Sequence, residues 1–399
     1  MTRKVVICGV GMVPFKKPGK SDGYDVMGAN AARAALDDAK LSLTDIDQAF
    51  TAYVHGDSCS GQSALYGVGM TGMPITNVNN NCASGSTAFA LATQAIEYGV
   101  SECVMALGFE QMAPGAIEMM YPDRVSPLKR HTDAIVNLLG LSEDEQNLPP
   151  AVLMFGVQAE LVMQEYGLSE QTLAQIAVKA RIHAKDNPFA IYREPLCVGQ
   201  VLQQPPIYRG LRKLFACPPS CGAASVIVCS EEFAKKNNLD IQVVLKGSSW
   251  CSDKPEYFTK SALDVTFGAL SREVCKKAYE SAGVGPEDID VIELHDCFTS
   301  NEIITYSALG LCPDDGIEKF ILEGNNTYGG QVVVGPSGGL MAKGHPLGAT
   351  GLAQITELVQ QLRGQSGSRQ VEGARLALQH NGGIGSAGFV NIFERIISK

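Results

Sequence analysis

The chain has 399 residues, 45% hydrophobic and 19% charged, which excludes bulk disorder and makes two or three packed units the expectation. Its formal net charge of −10 excludes nonspecific nucleic-acid binding, which needs a basic surface. The apolar run near the N-terminus, Val5-Val6-Ile7-Cys8, is far too short for a signal sequence or a membrane span.

In chain order, Lys4–Cys8 reads as a short β-branched strand, Asp25–Ala39 as a helix with alanines on one face, and Ile46–Val54 as a strand. Asn77–Asn81 leads into Cys82, a helix over Ser84–Tyr98 follows, and Cys103–Leu107 is a buried strand. From Met112 to Ser220 prolines, charges and single apolar residues mix, and periodicity survives in Ala159–Tyr166 and Gln171–Ala184. That stretch reads as an excursion from a sheet, and its basic run Lys129-Arg130-His131 as a solvated loop. Gly222–Cys229 returns to a dense buried strand. The second half restarts the pattern. A shift of 243 residues maps Ala35 onto Ala278, Ala39 onto Ala282 and Asp45-Ile46-Asp47 onto Asp288-Ile289-Asp290, the mark of a duplicated α/β unit. Strand Val291–Leu294, helix Ser300–Leu309, a glycine-rich turn Gly338–Gly344, helix Thr350–Leu362, strand Arg375–Leu378, turn Gly382–Gly385 and strand Gly388–Phe393 complete the chain.

The twelve cysteines include no C-x-x-C pair, and Cys217 and Cys221 lack a second pair at zinc-finger spacing. No metal site is expected, and most thiols read as small buried hydrophobes in a reducing compartment. Cys82 stands apart, because Asn79-Asn80-Asn81-Cys82-Ala83-Ser84-Gly85-Ser86 places a thiol at a strand-to-helix turn. Unpaired N–H groups there favour thiolate, so its pKa is expected below the free value of about 8.5. His345, in Gly344-His345-Pro346-Leu347-Gly348-Ala349-Thr350-Gly351, is ringed by small residues that admit a substrate. His295-Asp296-Cys297-Phe298 gathers imidazole, carboxylate and thiol at a strand end. A general acid–base role for Cys297 competes there with Asp296 as the cap of the following helix. His380-Asn381-Gly382-Gly383-Ile384-Gly385 is a glycine-rich turn whose N–H groups can face a ligand. Together these supply a nucleophile, a base, a second acid and oxyanion donors, the set an acyl transfer needs.

These segments resemble the thiolases over essentially the whole chain, most closely the sterol-carrier-protein type. Asn79–Ser86, His295–Phe298, Pro336-Ser337-Gly338-Gly339-Leu340 and Gly344–Gly351 carry the resemblance. His-Asp-Cys-Phe is the most specific, since other thiolases have Asn-Glu-Ala-Phe there. The resemblance implies an α/β fold of two similar five-stranded βαβαβαββ halves in five αβαβα layers. Residues 1–111 and 221–245 would form the N-terminal half, 112–220 a loop domain covering CoA, and 246–399 the C-terminal half. It implies cleavage of a 3-oxoacyl-CoA by CoA through an acyl-Cys82 intermediate, giving propionyl-CoA where the substrate is 2-methyl-branched, and reversible as a Claisen condensation. His345 would take the Cys82 proton and, with His295, hold the thioester oxygen. The N–H groups of Cys82 and Gly382 would form a second oxyanion site, and Cys297 would protonate the departing carbanion. CoA enters as substrate, with no cofactor bound permanently. A homodimer or homotetramer is implied, through the strand before Cys82, in a peroxisome or mitochondrion, although the termini carry no visible address and a cytoplasmic location stays open.

The sequence departs from the family in three places. His380 stands where ordinary thiolases have a second catalytic cysteine, Cys221 where an aspartate precedes Gly-Ala-Ala, and Gly335 where an asparagine precedes Pro-Ser-Gly-Gly. The lipid-carrier domain of the sterol-carrier type is not in the sequence. A related condensing enzyme is disfavoured by the His-Asp-Cys-Phe and Gly-His-Pro segments. A non-catalytic acyl-CoA scaffold or lipid-transfer partner is disfavoured by the intact Cys82, Cys297 and His345.

Overall fold

The computed structural model describes residues 3–115 and 120–396. The C-terminal Ile397-Ser398-Lys399, where no address is visible, lies outside them. Ten strands form the main sheet: β1 (Val5–Met12), β2 (Gln48–Ala52), β3 (Ile75–Val78), β4 (Cys103–Gln111), β5 (Cys221–Ser230), β6 (Val243–Cys251), β7 (Val291–Glu293), β8 (Val333–Val334), β9 (Leu376–Gly383) and β10 (Ala387–Arg395). The helices that matter below are α1 (Tyr24–Ala39), α2 (Ser84–Glu97), α3 (Lys129–Leu139), α4 (Pro150–Glu165), α5 (Glu170–Ala184), α6 (Gly268–Ala282), α7 (Thr299–Leu309), α8 (Gly339–Ala342) and α9 (Thr350–Arg363).

The strand order is β3-β2-β4-β5-β1-β6-β10-β9-β7-β8. Read outward from its centre, the N-terminal half runs β1, β5, β4, β2, β3, and the C-terminal half runs β6, β10, β9, β7, β8. The two orders are the same when each strand is replaced by its counterpart. The duplication hinted at by the 243-residue shift is therefore a duplication of topology, with α1 answering α6 and α2 answering α9. The two expected five-stranded halves join edge to edge through a β1–β6 pairing at Val6 and Val244.

Five layers follow from which helices bury which faces. α1 lies on one face of the N-terminal half and α6 with α7 on the outer face of the other, while α2 and α9 fill the space between the two halves. The outer helix α1 is amphipathic, exposing Asn30, Arg33, Asp37 and Asp38 and burying Ala31, Ala32, Ala35 and Leu36, as a one-sided contact demands. Its alanines let it approach β1 so closely that a Cβ on Gly9 would lie 2.4 Å from the Ala35 carbonyl oxygen. The middle helices are buried all round: Ala88, Phe89, Ala92 and Ile96 in α2, and Leu352, Ile355, Leu358 and Val359 in α9.

The stretch between β4 and β5 is helical rather than loop-like. Lys129-Arg130-His131, expected as a solvated loop, opens α3, and the His131 ring is buried against Asp253 with Nε2 2.9 Å from the carboxylate. A helical period with Ile135 turned inward overrides the charges at its start. Helices α4 and α5 of this stretch pack on α7 and α8. Among the described residues no helix is long and apolar enough to cross a membrane.

Phe89 of α2 meets Phe393 of β10 with ring centroids 5.8 Å apart and no exposed area, tying the middle layer to the C-terminal half. Truncating it to alanine is expected to cost about 3–5 kcal/mol, read as a fall in the urea midpoint at unchanged slope.

Candidate active site

Cys82 and His345 come from opposite halves but hold equivalent places, each in the loop just before a middle helix. α2 begins at Ser84 and α9 at Thr350. The two helix starts touch: a Cβ on Gly351 would lie 2.3 Å from Ser86 Oγ, and one on Gly85 2.8 Å from the Gly348 carbonyl oxygen. Only glycine lets the two loops close in this way. His295 arrives from the end of β7. The Cys82 sulfur and one ring nitrogen each of His295 and His345 all lie within 4.8 Å of one another. All three residues are buried, at 7%, 1% and 4% exposure.

The hydrogen bonds around His345 define its proton. Its Nδ1 lies 2.7 Å from Thr350 Oγ1, and that hydroxyl donates to the Pro346 carbonyl at 2.9 Å. A hydroxyl has one hydrogen, so at Nδ1 it accepts, and the imidazole proton sits on Nδ1. Nε2 keeps its lone pair and has no partner although buried. Burial pushes the ring pKa down to about 3, so the ring is neutral. The loop carrying it is pinned by Ser220, whose hydroxyl accepts the His345 N–H at 3.0 Å. The buried carboxylate of Glu110 pins it further, taking the Gly348 and Val54 N–H groups at 3.0 Å and that of His55 at 2.9 Å.

Cys82 corrects an expectation. Burial pushes its thiol up to about 12, with its own N–H and that of Ile384 pulling the other way. The helix that was to stabilise a thiolate begins two residues later, with Ala83 as its cap. Two N–H groups and a partial dipole therefore do not offset the loss of water. The backbone N–H groups that favour a charged sulfur are those of Ile384 and of Cys82 itself; Gly382 is expected from sequence as a donor to the acyl oxygen, not to the sulfur. Gly382 pairs with Gly388 inside the β9–β10 ladder, and its α-carbon faces the Phe267 ring.

Cys297 lies beside this cluster. Burial raises its thiol pKa well above the ordinary value, with further increments from Cys217, Cys82 and Asp296. The Cys217 N–H donates to its carbonyl at 2.9 Å. Phe155, stacked on Phe298 with centroids 4.0 Å apart, and Phe267 close the apolar wall around it. Asp296 does not cap the helix after it. Its carboxylate takes the N–H groups of Leu340 at 2.8 Å and Met341 at 3.4 Å, at the start of α8. His380 Nε2 lies 3.0 Å from Ser271 Oγ and its Nδ1 is buried without a partner; burial lowers its pKa to about 4. The family departures have local reasons. Gly335 has φ +65°, a conformation that asparagine also tolerates, and Cys221 is a buried residue of β5 whose thiol donates to the Met112 carbonyl.

Thr350, Ser220, Glu110, Ile384 and Asn381 were not singled out from sequence. Thr350 had a local signal, a hydroxyl residue at the start of the helix after His345, and Asn381 and Ile384 lie in the glycine-rich segment whose N–H groups were read as facing a ligand. The others reach the site from remote segments.

Burial lowers His295, His345, His380 and His183 below their ordinary value near 6.5. Each such ring contributes stability that is present above pH 6.5 and lost as pH falls through its folded pKa, because only the unfolded chain binds the proton between. Their NMR signals are expected to stay those of neutral rings from pH 8 to pH 5. His55, raised by its bond to Glu110, is expected to take up its proton at higher pH than these four. Titration of the four rings near pH 6.5 would contradict their neutral burial.

Two family models match the chain, "Thiolase, N-terminal domain" over residues 5–194 and "Thiolase C-terminal domain-like" over residues 255–395. Sterol carrier protein 2 of the rabbit, Oryctolagus cuniculus, is 45% identical over 396 residues, covering 98% of this chain and 72% of that protein. Among solved structures, an Ltp2–ChsH2(DUF35) aldolase aligns with a TM-score of 0.82 at 23% identity, covering 98% of each chain. Human mitochondrial 3-ketoacyl-CoA thiolase in complex with CoA aligns with a TM-score of 0.74 at 19% identity, covering 99% of this chain and 98% of that one. At these identities the two structures speak for the fold, which is the thiolase fold expected from the sequence. Matched in both its halves, the chain belongs to the thiolase family of acyltransferases.

Proposed function

We propose that this protein is a 3-oxoacyl-CoA thiolase that works through an acyl-Cys82 intermediate. The observation that carries this reading is the buried, unpartnered Nε2 lone pair of His345 beside the Cys82 thiol. Leaving such an atom unpaired costs about 1–3 kcal/mol, and the cost is offset when a proton arrives there. The thiol is that proton's source.

In the first half-reaction the Cys82 sulfur attacks the C3 carbonyl of the substrate as its proton passes to His345 Nε2. Because thiolate is disfavoured in the resting site, transfer and attack proceed together rather than from a standing ion pair. The C2–C3 bond breaks, the acyl group stays on Cys82, and the C2 carbanion leaves as acetyl-CoA after taking a proton from Cys297. His295 and His345 hold the thioester oxygen that carries the carbanion's charge, and backbone N–H groups hold the acyl oxygen. Here Ile384 joins Cys82 and Gly382 as a donor. In the second half-reaction the CoA thiol gives its proton to Cys297, attacks the acyl-Cys82 thioester and releases the shortened acyl-CoA. Cys82 regains its proton from His345. The Phe155, Phe267 and Phe298 wall suits an acyl tail, and residues 112–220 would cover the CoA. A 2-methyl-branched substrate would release propionyl-CoA instead.

Aldol cleavage, the activity named for one structural neighbour, breaks a C–C bond without passing an acyl group to an enzyme thiol. The position of Cys82 favours thiolysis, because a base-only site has no use for a thiol against the imidazole lone pair. We further propose a homodimer built on β3. That strand is one of the two edges of the sheet, and chains cover such edges by pairing.

The test is CoA-dependent loss of acetoacetyl-CoA and of a longer 3-oxoacyl-CoA. C82A is expected to lose at least ~10³-fold in kcat and C297A ~10²–10⁴-fold, and wild type should show an acyl adduct on Cys82 by mass spectrometry. Full activity in C297A would pass its role to His380 or His345. Cleavage of substrate without any Cys82 adduct would favour the aldolase-like reading, and no turnover with either substrate would favour a non-catalytic acyl-CoA scaffold. Light scattering is expected to give twice the 42.4 kDa of the chain; a monomer would refute the β3 interface.

A further inference from the structure

We propose that Ser86 and Asn381 are positioning residues that lock His295 in the tautomer with its hydrogen on Nε2, making it a donor beside the base His345. The inference deepens the reading of His295 as an oxyanion contact and rests on it.

A buried chain of hydrogen bonds sets the direction of each link up to His295. It starts on backbone carbonyls, which accept and never donate. Gln354 of α9 lies 2.8 Å from the Leu294 carbonyl oxygen and 3.3 Å from that of His380, so the end of its side chain facing them is the amide nitrogen. Its oxygen therefore accepts from Gln379 Nε2 at 3.0 Å. Gln379 Nε2 also donates to Ser86 Oγ at 2.8 Å, while its own oxygen accepts from Asn391 at 2.6 Å. Ser86 Oγ donates its single hydrogen to Asn381 Oδ1 at 2.9 Å; the reversed Asn381 amide would offer an N–H there and leave that buried hydrogen without this acceptor. That leaves Asn381 Nδ2 facing His295 Nδ1 at 3.0 Å, where it donates. The Nδ1 lone pair is consumed, and in a neutral ring the hydrogen must be on Nε2.

Every member of this chain is at most 3% exposed, so water cannot stand in for a broken link, and a reversed amide would leave buried groups facing like groups. The result is an asymmetry between two chemically identical rings whose centroids are 5.1 Å apart. Thr350 leaves His345 with a lone pair on Nε2, and Asn381 leaves His295 with a hydrogen there. One ring can take the Cys82 proton. The other cannot, and is set to donate to developing negative charge.

The test reads the tautomer directly in the resting protein. With histidine labelled at nitrogen, the NMR spectrum of wild type is expected to show His295 protonated at Nε2 and His345 at Nδ1. In N381D a carboxylate faces Nδ1, accepts from it and moves the hydrogen there, leaving a lone pair on Nε2. That variant should lose ~10²–10³-fold in kcat, the scale for one missing oxyanion donor, with KM changed far less and the His345 signals unmoved. S86A, which frees the Asn381 amide to rotate, should show a smaller loss in kcat and a mixture of His295 tautomers. His295 protonated at Nδ1 in wild type would overturn the inference without any variant, and so would an N381D enzyme as active as wild type. The tautomer needs no substrate to be seen. A wild type inert on 3-oxoacyl-CoA would therefore count against the proposed activity and leave the tautomer assignment standing.

Discussion

The structure depends on the contact between two helix starts deep inside the molecule. α2 and α9 are equivalent elements of a duplicated unit, and both are buried between the halves. They can share that layer only if their first turns interlock, which the glycines at 85 and 351 allow. Each helix is preceded by a loop, so the loops meet where the helices do. Cys82 sits in one and His345 in the other. The reactive pair is thus a consequence of the fold's internal symmetry, and nothing else in the chain has to bring it together.

The same contact places the pair far from water, and dryness decides its chemistry. A helix N-terminus in a wetter site would pull a thiol toward thiolate. Here desolvation outweighs the N–H groups, and the thiol pKa rises to about 12 while the imidazole falls to about 3. A neutral thiol beside a neutral imidazole is protected from adventitious reaction. In the proposed reaction it would become nucleophilic only when a carbonyl is present to take up the electrons as the proton moves. The carboxylates nearby, Glu110 and Asp296, bind backbone N–H groups of the loops and of α8, and so shape the site without ionising it.

How much of this could be read in the sequence follows the range of each interaction. The alternating strands and helices, the 243-residue repeat and the turn positions of Cys82 and His345 are local patterns, and each has its counterpart in the structure. The helix α3 was missed because its opening residues are charged, while its apolar face shows only over the following two turns. Strands β3, β6 and β8 are short or mixed in polarity and carry too few alternations to stand out. The thiolate expectation failed because dipole and sequence position are local, whereas burial is a property of the whole middle layer. Ile384, Asn381 and Ser220 escaped for a related reason. Each acts on a residue far along the chain, and a glycine-rich turn or a proline-flanked serine looks the same whether or not it meets an imidazole.

Symmetry of frame also explains where the two halves were free to diverge. Strand ends and the loops after them can change without disturbing the layers. At the end of β4 the chain places Glu110, which organises backbone, and then leaves the sheet for the helices of residues 112–220. At the equivalent end of β9 it places His380 and Asn381 and turns at once through Ile384 into β10. The helices of the long excursion return over α7 and α8, roofing the half whose own corresponding connection is a tight turn. One half thus carries Cys82 and the long excursion, and the other His345, His295 and Cys297. A single copy of the unit would hold a thiol without a base or a base without a thiol. The proposed chemistry would need both copies, because Cys82 and His345 stand at equivalent positions of the two rather than together on one.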